Sequence, residues 1–327
     1  MNKRKAFQYL LFILFLVIAW WEFSPYIGDL GEIYQYRNTL AYWWIGIALL
    51  LQTVQYGIDG YFIRELFRIL GIKIGLQDTV RISALDIFAI RLVPVGKFGS
   101  LAAFIYFYRK LGVSTQFIVY LNLVFGFITV FLQIFIFLLS SSLIHSATFP
   151  VPLHTYLLEA IAIASPVLLL LLILVLRVGE FRRLLNTLLH KIPWYRTLEK
   201  NLVTLEKFRK LMRKRLGKFL GLAVSKDLLY YLCDVIILES CFLSFHTFIS
   251  LPLIVFAYIV SLIAGTVSLL PGGLGATDAA LGVIFISAKV NPVVTVGVIL
   301  LYRLVSFLYP FLVGALSYYS LRHTLRA

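Results

Sequence analysis

Two proline-glycine breaks interrupt sequence that is otherwise apolar enough to enter a membrane. They are Pro94-Val95-Gly96-Lys97-Phe98-Gly99 and, 177 residues later, Pro271-Gly272-Gly273-Leu274-Gly275. A break at membrane depth frees backbone N–H and C=O groups that lipid cannot satisfy, so it persists only where protein or a wet cavity surrounds it. Matching breaks in two halves are the pattern of carriers built from repeats, with a binding site near the midplane.

The rest of the chain agrees with a membrane setting. It is 61% hydrophobic and 14% charged, with mean hydropathy +0.93. A soluble protein of this length needs a polar coat that this composition does not supply. The apolar runs are continuous and do not alternate, which excludes a β-barrel. The fold class is an all-α polytopic membrane protein. The net charge is +15. It collects between apolar spans, where topology and anionic lipid account for it and nucleic acid does not.

Charge clusters set the expected path. Lys3, Arg4 and Lys5 precede the span Phe7–Phe23. No small-residue cleavage site follows it, so it reads as an uncleaved first helix starting in the cytoplasm. Ala41–Gly60 returns to a cluster of Arg64, Arg68, Lys73 and Arg81. Ile82–Phe107 has basic flanks at both ends, which predicts a re-entrant hairpin turning at the first break. Gln116–Leu139 leads to an uncharged outer loop, Ser140–Leu153, and Tyr156–Leu176 comes back. Arg177–Lys218 carries thirteen Lys or Arg against three Glu. It is expected in the cytoplasm, either as basic amphipathic helices on anionic inner-leaflet lipid or as a plain basic loop. Phe219–Phe245 goes out, Leu251–Ala288 turns at the second break, and Val293–Tyr319 comes in. The expectation is one integral membrane domain over 1–327, with six full spans plus two re-entrant broken-helix hairpins and both termini cytoplasmic.

An offset of 177 residues aligns the halves without a gap. Pro94 meets Pro271, Gly96 meets Gly273, and Ala102-Ala103 meets Ala279-Ala280. The hairpins are expected to enter from opposite faces, giving an inverted repeat with cores at about 82–140 and 251–319.

The candidate site gathers at the breaks. Glycines reach positive φ and allow close backbone approach. A helix that restarts after a break presents free N–H groups and a positive dipole end, which suits a phosphate or carboxylate. The residues expected to bind substrate are Arg91, Gly96, Lys97 and Gly99 at the first break, and Pro271, Gly272, Gly273, Gly275, Asp278 and Arg303 at the second. Ionisable groups inside a membrane are functional candidates by default. Asp278 with Arg303, and Asp86 with Arg91 or Lys97, form either substrate groups or structural ion pairs. Asp227 and Asp234 share a helix face, and either relay protons or cap and sit at the interface. The five histidines show no metal spacing, and no nucleotide-binding or hydrolytic motif occurs. Cys233 and Cys241, eight apart in one apolar span, read as buried thiols. No cofactor, metal or catalytic group is expected.

The segment Leu270-Pro271-Gly272-Gly273-Leu274-Gly275-Ala276-Thr277-Asp278, with the later Tyr302-Arg303-Leu304, resembles the transmembrane region of lysylphosphatidylglycerol synthases. This is the flippase-like domain of the multiple peptide resistance factors, which also occurs as standalone proteins. The resemblance spans nearly the whole chain. Asp278 stands where the family usually has Glu, and Ser100 stands where relatives often carry an acid. The resemblance implies translocation of a phospholipid or isoprenoid-linked lipid across the cytoplasmic membrane, without the synthase domain and hence without aminoacyl transfer. The alternatives are a membrane enzyme or enzyme partner acting on lipid-linked substrates, of glycosyl-transfer type, and a small-solute carrier. Homo-oligomerisation is left open.

Overall fold

The computed structural model describes residues 30–69, 73–92, 115–144, 216–268 and 271–324, with positions 105 and 108. Regular structure among them is entirely helical. In chain order the α-helices are α1 (Leu30–Gln35), α2 (Tyr42–Ile69), α3 (Leu76–Leu92), α4 (Thr115–Leu143), α5 (Leu216–Ser244), α6 (Leu251–Ser268), α7 (Ala276–Ser287), α8 (Pro292–Arg303) and α9 (Tyr309–Thr324). A 3₁₀ turn, Tyr36–Asn38, follows α1, and another, Pro271–Gly273, lies between α6 and α7. The span at 7–23, the first break at 94–99, the span at 156–176 and the basic segment up to 215 lie outside the described residues.

Three helical stretches among the described residues are long and apolar enough to cross a membrane: Val124–Leu143, Leu251–Ser268 and Pro292–Ser317. The chain is thus an integral membrane protein of helices. Helices α2 and α5, at 28 and 29 residues, also have the length. Each covers about 42 Å at 1.5 Å per residue, against a hydrocarbon core of about 30 Å. They carry charges along their length, which is why apolar length alone does not single them out.

Several expectations shift: α2 runs on from Gly60 to Ile69, and α3 begins at Leu76, ahead of Ile82. Ser140–Leu153 was to open as a loop, yet α4 runs on to Leu143. Ser140, Ser141 and Ser142 each donate a hydroxyl to the carbonyl three residues back, at 3.1, 3.0 and 2.8 Å. Back-bonded in this way, serine sits in a helix without exposing an unpaired hydroxyl. The stretch Val293–Tyr319 is helical throughout, but α8 passes into α9 through a π turn at Leu304–Leu308. Pro310 supplies the cause. It has no N–H for the carbonyl four residues back, and its ring clashes there. Widening the preceding turn relieves that clash.

The chain divides into two compact units, one from residues 1–56, 84–99 and 232–327 and one from 57–83 and 100–231. In the first unit, Phe242 stacks edge-on against Phe285 at 4.6 Å, and Phe88 packs on Phe311 at 4.8 Å. In the second, Gly60 on α2 lies against Val80 on α3, where a Cβ would come within 2.8 Å of the Val80 backbone. Phe125 bridges Phe62 and Phe219 at 5.0 and 5.2 Å. Close approach at small residues is how helices associate in lipid, where no hydrophobic driving force separates them from solvent.

Candidate functional site

The second break is a tight turn between two packed helices. α6 has 18 residues and α7 has 12. At about 18 Å, α7 is too short to cross the hydrocarbon core alone. Gly272, Gly273 and Gly275 have φ of 59°, 71° and 76°, a region that L side chains rarely adopt. The helices then meet at Gly265 and Gly273. A Cβ on Gly273 would stand 2.9 Å from the Gly265 Cα and 2.9 Å from the Thr277 methyl carbon. Thr277 closes the turn by donating its hydroxyl to the Gly273 carbonyl at 2.9 Å.

Asp278 lies in the first turn of α7 and is 3% exposed; Arg303, at the end of α8, is 4% exposed. The two form a fork: Arg303 Nε donates to Asp278 Oδ1 at 2.6 Å, and Nη2 donates to Oδ2 at 2.9 Å. The Gly275 N–H also donates to Asp278 Oδ2, at 3.1 Å. One carboxylate therefore complements the positive end of α7 and neutralises a buried guanidinium. The start of α7, where the sequence suggested a free anion site, holds the side chain of Asp278 itself.

A second polar array in the same unit lies at the midpoint of α2. Tyr258 donates to Asp234 Oδ2 at 2.5 Å, and Gln55 Nε2 donates to Asp234 Oδ1 at 2.7 Å. Gln52 Nε2 then donates to Gln55 Oε1 at 2.6 Å. The amide orientations follow from the carboxylate, which accepts and does not donate when ionised. Gln52 is 0% exposed, and its Oε1 meets no donor among the described residues. A buried carbonyl left this way costs about 1–3 kcal/mol, so the arrangement invites a donor. Thr53, next to Gln52, shares a hydrogen bond of 2.7 Å with Tyr309, just past the π turn.

The second unit holds an ion cluster of its own. Lys226 on α5 reaches Asp59 on α2 at 3.3 Å and Asp227 at 3.5 Å. Thr129 on α4 donates to Asp227 at 2.8 Å. The ammonium also lies over the rings of Phe62 and Tyr230, at 5.6 and 5.7 Å. Two buried carboxylates thus share this lysine. Lys226→Met leaves both without it and is expected to cost about 3–5 kcal/mol. Asp59→Asn keeps Asp227 on the lysine and leaves no carboxylate without its cation, so it is expected to cost clearly less than Lys226→Met. Denaturant unfolding of the two variants in the same detergent checks the order.

Of the residues singled out in the sequence, the structure brings Asp278, Arg303, Gly273 and Gly275 together, with Gly272 in the same turn. The side chains of Pro271 and Arg91 lie outside the described set, although Arg91 belongs to the last turn of α3. Gly96, Lys97 and Gly99 lie outside it altogether. Asp227 and Asp234 are far from both ends of α5, so neither caps it. Gln52, Gln55, Asp59, Lys226 and Tyr258 were missed. The signal was present for three of them: 52, 55 and 59 fall on one face of α2 by helical spacing. Among the described residues, no group of three His, Cys, Asp or Glu could hold a metal.

Comparison with known proteins follows the same lines. A UPF0104 membrane protein of Methanocaldococcus jannaschii is 28% identical over 108 residues, covering 33% of this chain and 32% of that protein. A UPF0104 membrane protein of Methanothermobacter thermautotrophicus is 33% identical over 105 residues, covering 32% and 31%. The chain therefore matches about a third of the length of each of these relatives. No solved structure matches it. The sequence profile of the lysylphosphatidylglycerol synthase TM region matches residues 7–314, so the chain belongs to that family.

Proposed function

We propose that this protein is a lipid translocator of the cytoplasmic membrane, with both termini cytoplasmic, and that it works as a carrier and not as an enzyme. A lipid headgroup passes along polar side chains inside the first unit while its acyl chains stay in the bilayer. The hairpin of α6 and α7 re-enters the membrane and turns at Pro271–Gly275. Family membership supports a role with lipids.

The observation that carries the reading is the array Gln52–Gln55–Asp234–Tyr258. It sets a carboxylate, and an amide carbonyl that meets no donor among the described residues, near the middle of long helices. Polar groups at that depth are costly and mark substrate paths. A headgroup hydroxyl or ammonium would supply the donor that Gln52 Oε1 does not find among the described residues. The pair Asp278–Arg303 holds the hairpin turn rigid beside this path, and Gly272, Gly273 and Gly275 keep the backbone thin there.

Purified protein in liposomes carrying headgroup-labelled phospholipid tests this. Membrane-impermeant reductant added outside quenches the outer leaflet only. Vesicles with protein are expected to lose the inner-leaflet signal much faster than protein-free vesicles, and Gln52→Leu is expected to slow that loss at least about tenfold, the equivalent of one lost hydrogen bond to a charged or polar headgroup. Equal rates with and without protein, for phospholipids and for an isoprenoid-linked lipid, would rule the reading out. In that case the chain would serve lipid-linked chemistry as an enzyme partner.

A further inference from the structure

A separate site stands at the opposite end of α2 from α1, within the second unit. Glu65 is 5% exposed and four residues from the end of α2. Three cations reach it. Arg68 comes to 3.4 Å, Arg64 to 3.8 Å, and Lys218, in the first turn of α5, to 3.8 Å. One carboxylate cancels one of those charges, so two positive charges remain in excess. The side chains are layered: that of Glu65 is 6% exposed, those of Arg64, Lys218 and Arg68 are 36%, 61% and 77% exposed. The buried acid anchors the cations from beneath, and their N–H groups meet whatever approaches from outside. Arg64 also lies over the ring of Tyr61, an exposed aromatic residue of the kind that settles at the headgroup level.

Gathering like charges around one acid is unfavourable unless an anion relieves it. Among the described residues, the neighbouring ion pairs of this unit lack that surplus: Asp78 and Arg81 form a pair, and two carboxylates, Asp59 and Asp227, meet Lys226. At 28 and 29 residues, α2 and α5 outrun a hydrocarbon core of about 30 Å, so helices of this length that cross it bring their ends to the headgroup level. The anion available there in bulk is the phosphate of a lipid.

We infer that Arg64, Arg68 and Lys218, held by Glu65, form a binding site for the phosphodiester of an anionic phospholipid at the basic face of the membrane. The bound lipid ties α2 to α5 and uses none of the residues of the proposed transport array, so the site holds whether or not the protein moves lipid. Guanidinium forks suit the paired oxygens of a phosphodiester, and the lysine adds a point charge.

Lipid retention tests the site without reference to transport. The full chain is loaded with phosphatidylglycerol or phosphatidylcholine in detergent, and bound lipid is counted by native mass spectrometry. The wild type is expected to keep a phosphatidylglycerol that survives delipidation, and phosphatidylcholine to be kept less. Arg64→Gln with Arg68→Gln, which leaves Lys218 on Glu65 so that the buried acid stays paired, is expected to weaken that retention about tenfold, in the range of a lost charged hydrogen bond. A charge-matched control, Arg37→Gln with Lys289→Gln, is expected to retain lipid as the wild type does. Unchanged retention in the Arg64/Arg68 variant overturns the site, as does equal loss in the control. Displacement of the lipid by inorganic phosphate at the same concentration would assign the cluster to a soluble anion and overturn the lipid.

Discussion

Arg303→Leu is expected to destabilise the protein by about 3–5 kcal/mol, because it leaves the Asp278 carboxylate buried without its cation. The cost is that of an orphaned charge, not of a lost attraction. Adding Asp278→Asn should therefore recover most of it. The Asn side-chain oxygen still accepts from the Gly275 N–H, so the start of α7 keeps its cap. Replacing a buried ion pair by neutral groups is often close to neutral in stability. Unfolding in denaturant of the wild type, the single variant and the double variant gives the three values needed. A double variant as unstable as Arg303→Leu would show that the fork is not what holds these helices. Transport by a folded double variant would separate the structural role of the pair from contact with substrate.

The turn itself gives the second large effect. Gly273→Ala is expected to be severe and Gly275→Ala milder, although both positions have positive φ. Backbone strain for a side chain in such a conformation is about 1–3 kcal/mol. Nothing lies within 4 Å of a Cβ on Gly275, so the strain is its whole cost. On Gly273 the Cβ also drives into the Gly265 Cα, a backbone atom that cannot rotate away. Overpacking adds typically about 1–3 kcal/mol, and here α6 and α7 must separate to relieve it. Thermal unfolding in one detergent ranks the two variants. Equal losses would mean that the helices part at Gly265 without resistance.

The features of the sequence that were legible share a property: they are rare in a membrane. Proline, glycine and charge inside apolar runs have few innocent explanations, so Pro271–Gly275, Asp278 and Arg303 stood out. The pairing of Asp278 with Arg303 could be named before any coordinates because each needed a partner at the same depth. Gln52 and Gln55 did not stand out because amides carry no charge, and a hydropathy reading treats them as minor losses. Lys226 and Asp59 escaped for another reason. Near the ends of apolar stretches, charges are naturally read as flanks that set topology. Only the added turns of α2 and α5 place them among neighbouring helices. The π turn was hidden because proline in a helix signals a disturbance without telling which kind. The uncharged Ser140–Ser142 resembled a loop by composition, yet side-chain hydroxyls satisfied locally let the helix continue.

The π turn at Leu304–Leu308 also carries a historical reading. A wide turn holds one more residue than an α-helical turn, so it is what a helix becomes when a codon is inserted and both flanks keep their old contacts. One residue rotates everything beyond it by about 100°. Here Arg303 faces Asp278 on one side of the turn and Tyr309 meets Thr53 on the other, so an inserted residue absorbed in the turn would have left both contacts in place. Relatives of this chain should then fall into two groups across this stretch. One has the extra residue with a proline after it, and one has a single-residue gap with no proline at that place.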